Sequence, residues 1–242
     1  MRIIERFFGP LPYFWFGVKH LAQFSSGFVR EGVLRHAMEY AQTSELEGDY
    51  LEFGVWRGRA FAAACYFARK NGLNMNFYAF DSFRGIPKNN ELDAGGHKWF
   101  QVGLYNYSES DFLKNVRRTG ADMKRVITVP GFFEESLKAD NVRLSNLRKA
   151  AVVWIDCDLY SSTCTVLAFV KPYLQYGTLM FFDDWFSFRA DPNCGEQRAF
   201  REWLERNPHL SAVQLMRYGW CGNSFVIHDA TAIRSGSEAS NQ

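Results

Sequence analysis

AVVWIDCD, Ala151 to Asp158, is an apolar run that ends in two acids, and GTLMFFDDW, Gly177 to Trp185, repeats the design. Short runs this apolar read as strands buried on both faces, in a sheet covered by helices on each side. Each run delivers carboxylates where its strand must emerge from the core. Two unit charges about 4 Å apart repel by about 4 kcal/mol at an effective dielectric of about 20. If Asp156, Asp158, Asp183 and Asp184 converge, they need shared protons or a cation. A hard divalent ion suits a donor set made only of carboxylate oxygens. Capping and loop solvation are the plainer use of the same acids.

Working outward, strands and helices alternate. YLEFGV (50–55), NFYAFD (76–81) and RVITVPG (125–131) read as further strands, with helices at 59–71, 110–119, 161–173 and 196–206. SAVQLMRYG and NSFVIH close the series as a tightly joined antiparallel pair. The alternation predicts an α/β fold: a mostly parallel seven-stranded sheet, Rossmann-like, with helices on both faces and an antiparallel final strand. Residues 1–48 read as a helical N-terminal extension, a lid or subunit interface. In it Val33, Leu34, Ala37, Met38 and Ala41 fall at helical spacing. Residues 49–228 form the main domain, and 229–242 a polar tail. Ligands bind such sheets at the carboxyl ends of the strands. Glu52, Gly54, Asp81 and the four aspartates all fall there.

Composition narrows the function classes. The 242 residues carry a formal charge of +2 and no long basic run, so nothing points to nucleic acid. Five cysteines, odd in number and without a CxxC pair, argue against a zinc site or disulfide framework and fit a reducing cytoplasm. The apolar stretch 7–18 is broken by Pro10 and Pro12 and is too short to span a bilayer. Glu5 and the prolines argue against a signal peptide. Phe7, Phe8, Tyr13, Phe14, Trp15 and Phe16 are too many aromatics to leave wet, and are expected at a subunit interface or over a pocket.

In Glu52-Phe53-Gly54-Val55-Trp56-Arg57-Gly58 an acid precedes two glycines four apart at a strand-to-helix turn. This is not GxGxxG, and Glu52 would repel a pyrophosphate. It suits a cationic ligand, such as the aminoacyl end and sulfonium of S-adenosylmethionine, with the helix N-terminus free for that ligand's carboxylate. Asp81 ends the next strand, where an acid can grip ribose hydroxyls.

LEFGVWRG, FDSFRGIP, VPGFFEESL, WIDCDLYSST and FFDDW, in that order, resemble the macrocin, mycinamicin and novobiocin type of sugar O-methyltransferases. These are a branch of the class I S-adenosylmethionine-dependent methyltransferases. The resemblance runs from about Tyr50 to Phe200 and is most specific in IDxDLYxST and DDW. It implies a magnesium-dependent transfer of methyl to a hydroxyl of a small polyhydroxylated acceptor, a sugar of a natural product or glycoconjugate. By position it makes Asp156, Asp183 and Asp184 ligands of Mg2+ or another divalent cation, and Asp158 the general base. It places Glu52, Gly54, Asp81 and Ser82 in the cofactor pocket, with Gly131 and Phe132 near the adenine. It also implies a homo-oligomer. The loop 84–107 and the stretch 186–195 match little, so acceptor identity stays open. A catechol acceptor needs the same metal geometry, and a non-catalytic S-adenosylmethionine-binding protein is the reading from another class.

Overall fold

Strict alternation along four buried strands sets the architecture. The computed structural model describes residues 27–88, 93, 100–138 and 140–230. Within these, β1 (Asp49–Phe53), β4 (Ala150–Ile155) and β5 (Thr178–Phe182) are buried at every position, and β2 (Phe77–Asp81) at all but its last. Successive side chains point to opposite faces. Tyr50, Phe77, Ala79, Val152, Trp154, Leu179 and Phe181 therefore build one core. Leu51, Phe53, Tyr78, Phe80, Val153, Ile155, Met180 and Phe182 build the other.

The strand order is β3-β2-β1-β4-β5-β7-β6, with β3 at Val126–Pro130, β6 at Leu210–Tyr218 and β7 at Gly222–Asp229. Strands β1 to β5 pair in parallel, whereas β7 runs antiparallel to both β5 and β6. The seven-stranded, mostly parallel sheet with an antiparallel end is as expected from the sequence. The order reverses between β2 and β4, on either side of β1, which opens a crevice at the carboxyl edge.

On the first face lie α1 (Gly27–Thr43), α2 (Arg59–Lys70) and α3 (Glu109–Arg118). The five spaced residues of α1, Val33 to Ala41, are all buried in the core. Glu31 of α1 accepts from Arg59 Nε at 2.9 Å and pins α1 to the start of α2. Ser108 caps α3 by accepting from the Asp111 N–H at 3.1 Å. On the second face, α5 (Tyr160–Val170) and α6 (Gly195–Glu205) carry Val166, Leu167, Phe200 and Trp203 into the core; the short α4 (Phe133–Ser136) follows β3.

Two details differ from the sequence reading. The helix expected over 161–173 stops at Val170 and continues as a 3-10 turn, Lys171–Tyr173, because Pro172 offers no N–H to the α-helical ladder. Its first turn is not capped by Asp158. Asp93 instead accepts from the Ser161 N–H at 3.1 Å and from Ser161 Oγ at 2.6 Å. Phe7 to Phe16 and the tail from 231 lie outside the described residues. Among the described residues, no helix is long and apolar enough to cross a membrane.

Candidate active site

The parallel register brings the strand ends level. The Asp156 N–H donates to Phe53 O at 2.9 Å, the Asp183 N–H to Ile155 O at 2.9 Å and the Gly131 N–H to Asp81 O at 3.0 Å. Above this edge lies a cavity of about 540 Å³, the size of a cofactor pocket. Gly54, Asp81, Ser82, Gly131, Phe132, Asp156, Asp158 and Asp184 all line it, so eight expected site residues share one wall.

Gly54 is required by geometry. Its φ is 87°, and a Cβ there would lie 1.9 Å from the Asp156 carbonyl oxygen. The chains cross at backbone distance where the cavity floor begins. Asp81 holds the adjoining turn: its carboxylate accepts the N–H groups of Val55 (2.8 Å), Trp56 (3.1 Å) and Phe83 (2.7 Å). Burial pushes its pKa up while these three donors pull it down. Ser82 Oγ donates to Gly85 O at 2.9 Å and shapes the next bend.

Asp156, Asp158 and Asp184 each place one oxygen within 4.8 Å of the others. Asp158 sits at φ 62°, a left-handed conformation that costs a non-glycine residue of order 1–3 kcal/mol. Trp56 (φ 40°) and Tyr105 (φ 62°), also on the cavity wall, share that strain. Burial raises all three carboxyl pKa values. It takes Asp156 to about 7, with Arg30 opposing and Asp184 and Asp81 adding. Asp158 goes well above the carboxylate range through burial and the charges of Asp184 and Asp156. The Asp184 N–H donates to Glu196 Oε2 at 3.0 Å, and Asp184 Oδ1 accepts from Ser187 Oγ at 3.2 Å. Asp184 Oδ2 is buried and accepts from no N–H or hydroxyl among the described residues, while the Asp158 carboxyl lies within hydrogen-bonding reach of Asp184. Three convergent carboxylates that share too few donors fit a hard divalent cation.

Two expected members stand apart. Asp183 points to Arg30 of α1, whose Nη2 pairs with Asp183 Oδ2 while Nη1 lies 3.8 Å from Asp156 Oδ2. Neighbouring residues face opposite ways, so Asp184 enters the cluster as Asp183 turns from it. Glu52 lies beneath the cavity floor, 2% exposed, and accepts from Tyr50 OH at 2.5 Å. Burial pushes its pKa well above the usual value.

The wall also holds residues the sequence reading did not single out. Arg30 is the one cationic side chain among the described residues lining the cavity, and Trp56, Trp220, Phe133 and Ser162 line it too. Of the long-loop aromatics, Phe100 and Tyr105 reach the cavity. Tyr107 instead packs toward α3, where its OH accepts from Asn115 Nδ2 at 3.0 Å. All five cysteines are free.

The family model Macrocin-O-methyltransferase (TylF) matches residues 20–214. Mycinamicin III 3''-O-methyltransferase of Micromonospora griseorubida is 29% identical over 198 residues, 75% of this chain and 70% of that protein. Demethyldecarbamoylnovobiocin O-methyltransferase of Streptomyces niveus is 27% identical over 164 residues, 66% of this chain; the match spans 61% of that relative's own length. Among solved structures, the O-methyltransferase NovP superposes with a TM-score of 0.66 at 22% identity, covering 81% of this chain and 78% of that one.

Proposed function

The chain belongs to the macrocin O-methyltransferase family of S-adenosylmethionine-dependent enzymes, and on that premise we propose that it methylates a hydroxyl of a small polyhydroxylated acceptor with a divalent cation in the acid cluster. The acceptor class is a sugar of a natural product or glycoconjugate. The observation that carries the reading is the juxtaposition of Asp156, Asp158 and Asp184 with Gly54, Asp81, Gly131 and Phe132 around one cavity.

The roles follow from position. Gly54 lets the methionine end of the cofactor approach bare backbone at the start of α2. Asp81 fixes that turn and presents its oxygens toward the ribose side. Phe132 and Gly131 face the adenine side. Asp156 and Asp184 would hold the cation, and Asp183 would join them once free of Arg30; Asp156 and Asp184 already face each other beside Asp158. When bound, the cation supplies Lewis acidity that lowers the pKa of a vicinal hydroxyl pair. Asp158 takes the proton of the reacting hydroxyl. The walls then hold acceptor oxygen and methyl donor in line, and positioning supplies much of the acceleration because the donor is already activated. The same reading keeps the enzyme in a reducing cytoplasm and gives residues 1–48 a role in a homo-oligomer.

Calorimetric titration with S-adenosylmethionine tests the cofactor half. Saturable binding that weakens when Asp81 becomes Ala supports it; no heat with folded protein refutes it.

Acceptor recognition falls to the aromatic rim. Trp56 and Tyr105 meet edge to face at 5.6 Å, and Trp220 on the β6–β7 turn is 69% exposed. Such faces suit the C–H side of a sugar ring or a flat aglycone. Trp220→Ala is expected to raise acceptor KM by about tenfold, one lost stacking contact of roughly 1.5 kcal/mol, with cofactor affinity unchanged. An unaltered KM would remove Trp220 from the acceptor site.

A pH effect follows from the raised carboxyls. Asp156 moves from an ordinary 3.8 to about 7 on folding. A raised acid contributes stability that is present below its unfolded value and lost as pH climbs through the folded one. With chelator, the urea midpoint is expected to fall between pH about 4 and about 7, and saturating Mg2+ should cancel most of that fall. A midpoint that rises over this range without metal would contradict the assignment.

A further inference from the structure

We propose that Arg30 is the resident counter-cation of the acid cluster, and that a divalent cation entering the cluster displaces its guanidinium from Asp156 and Asp183. The inference rests on the cation reading above and goes beyond it by assigning a residue that competes for the site.

Arg30 comes from α1, yet its side chain ends among carboxylates that follow β4 and β5. It pairs with Asp183 Oδ2, and its Nη1 lies 3.8 Å from Asp156 Oδ2, so its charge sits where a cation held by Asp156 and Asp183 would have to enter. The guanidinium meets Asp183 and Asp156 directly and opposes the charges of Asp158 and Asp184, with Glu196 buried nearby at 1% exposure. Asp184 Oδ2 takes no hydrogen bond from Arg30, so the guanidinium satisfies only part of the cluster. A compact ion among Asp156, Asp183 and Asp184 and a guanidinium on the first two cannot share those lone pairs.

The exchange is a side-chain event. Leu34 and Met38 are fully buried, and Glu31 is held by Arg59 at 2.9 Å, so the body of α1 stays on the sheet. Arg30 itself retains 38% of its side-chain surface, which leaves it a route outward along the cavity rim. Arg30 thereby sets a threshold for cation loading and keeps the unloaded cluster from repelling itself.

Calorimetric titration of Mg2+ into the chelator-treated full chain, wild type against Arg30→Gln, tests this. Removing the competitor is expected to tighten Mg2+ binding by about tenfold, while the metal-free variant melts lower and recovers with saturating Mg2+. Equal or weaker binding in Arg30→Gln overturns the inference and leaves the cation reading standing. Absence of Mg2+ heat in both proteins overturns both. Should Arg30→Gln fail to fold, arginine-selective dicarbonyl labelling of the wild type decides. Peptide mass should show Arg30 labelled faster with Mg2+ than with chelator, and equal labelling overturns the inference.

Discussion

Asp158→Asn is expected to cut kcat by about 10²–10⁴-fold while leaving S-adenosylmethionine affinity within about twofold of wild type. The substitution keeps shape and volume. Asn tolerates the left-handed backbone that Asp158 adopts at φ 62°, so the β4–α5 turn should survive. What it loses is the oxygen proposed to accept the acceptor's proton. Burial, with Asp184 and Asp156 adding, raises the Asp158 pKa well above the ordinary carboxylate range, which makes it a stronger base than a free carboxylate once charged. Single-turnover rates and cofactor titration on the same preparation separate the two quantities. Parallel loss of both would mean that Asp158 builds the pocket instead of moving the proton.

Gly54→Ala is expected to be far more damaging to the fold than its size implies. An L residue at φ 87° already costs about 1–2 kcal/mol. The added Cβ would also lie 1.9 Å from the Asp156 carbonyl, which β4 cannot withdraw without opening its ladder to β1. Gly72 supplies the control: its φ is 70°, but nothing lies within 4 Å of its would-be Cβ. Gly72→Ala should therefore lose only about 1 kcal/mol in urea unfolding, and Gly54→Ala at least about 3 kcal/mol together with cofactor binding. Equal midpoints for the two variants would show that the strand crossing is looser than the structure has it.

Much of this was legible because buried parallel strands are written as apolar runs. Ala151–Ile155 and Thr178–Phe182 need no partner information to be recognised, and the acids that follow them must emerge at one edge. The antiparallel end could be read from the short link between Tyr218 and Gly222. Side-chain direction was harder. The period of two puts Glu52 with Tyr50, beneath the sheet edge, so a cofactor role reaches it only through the floor of the pocket. The same rule parts Asp183 from Asp184, but which one faces the cavity depends on how the chain bends after Phe182. Arg30 was not legible at all, because only tertiary packing of α1 carries a helix arginine to the far strand ends. Trp220 had a signal in hindsight: a turn between the last two strands opens on the same edge as β5 ends. Asp93 capping α5 from within a long loop had none.

Methyl transfer at this cavity can be measured directly. The chain would be incubated with methyl-labelled S-adenosylmethionine and Mg2+ against a panel of glycosides and, in parallel, catechols. Label on a glycoside hydroxyl, abolished by chelator and by Asp158→Asn, is the predicted result. Label that appears equally with chelator would contradict the acid cluster as the seat of a cation. Cofactor bound but no label passed to any hydroxylated acceptor, in either panel, would contradict O-methyl transfer as the work of this cavity.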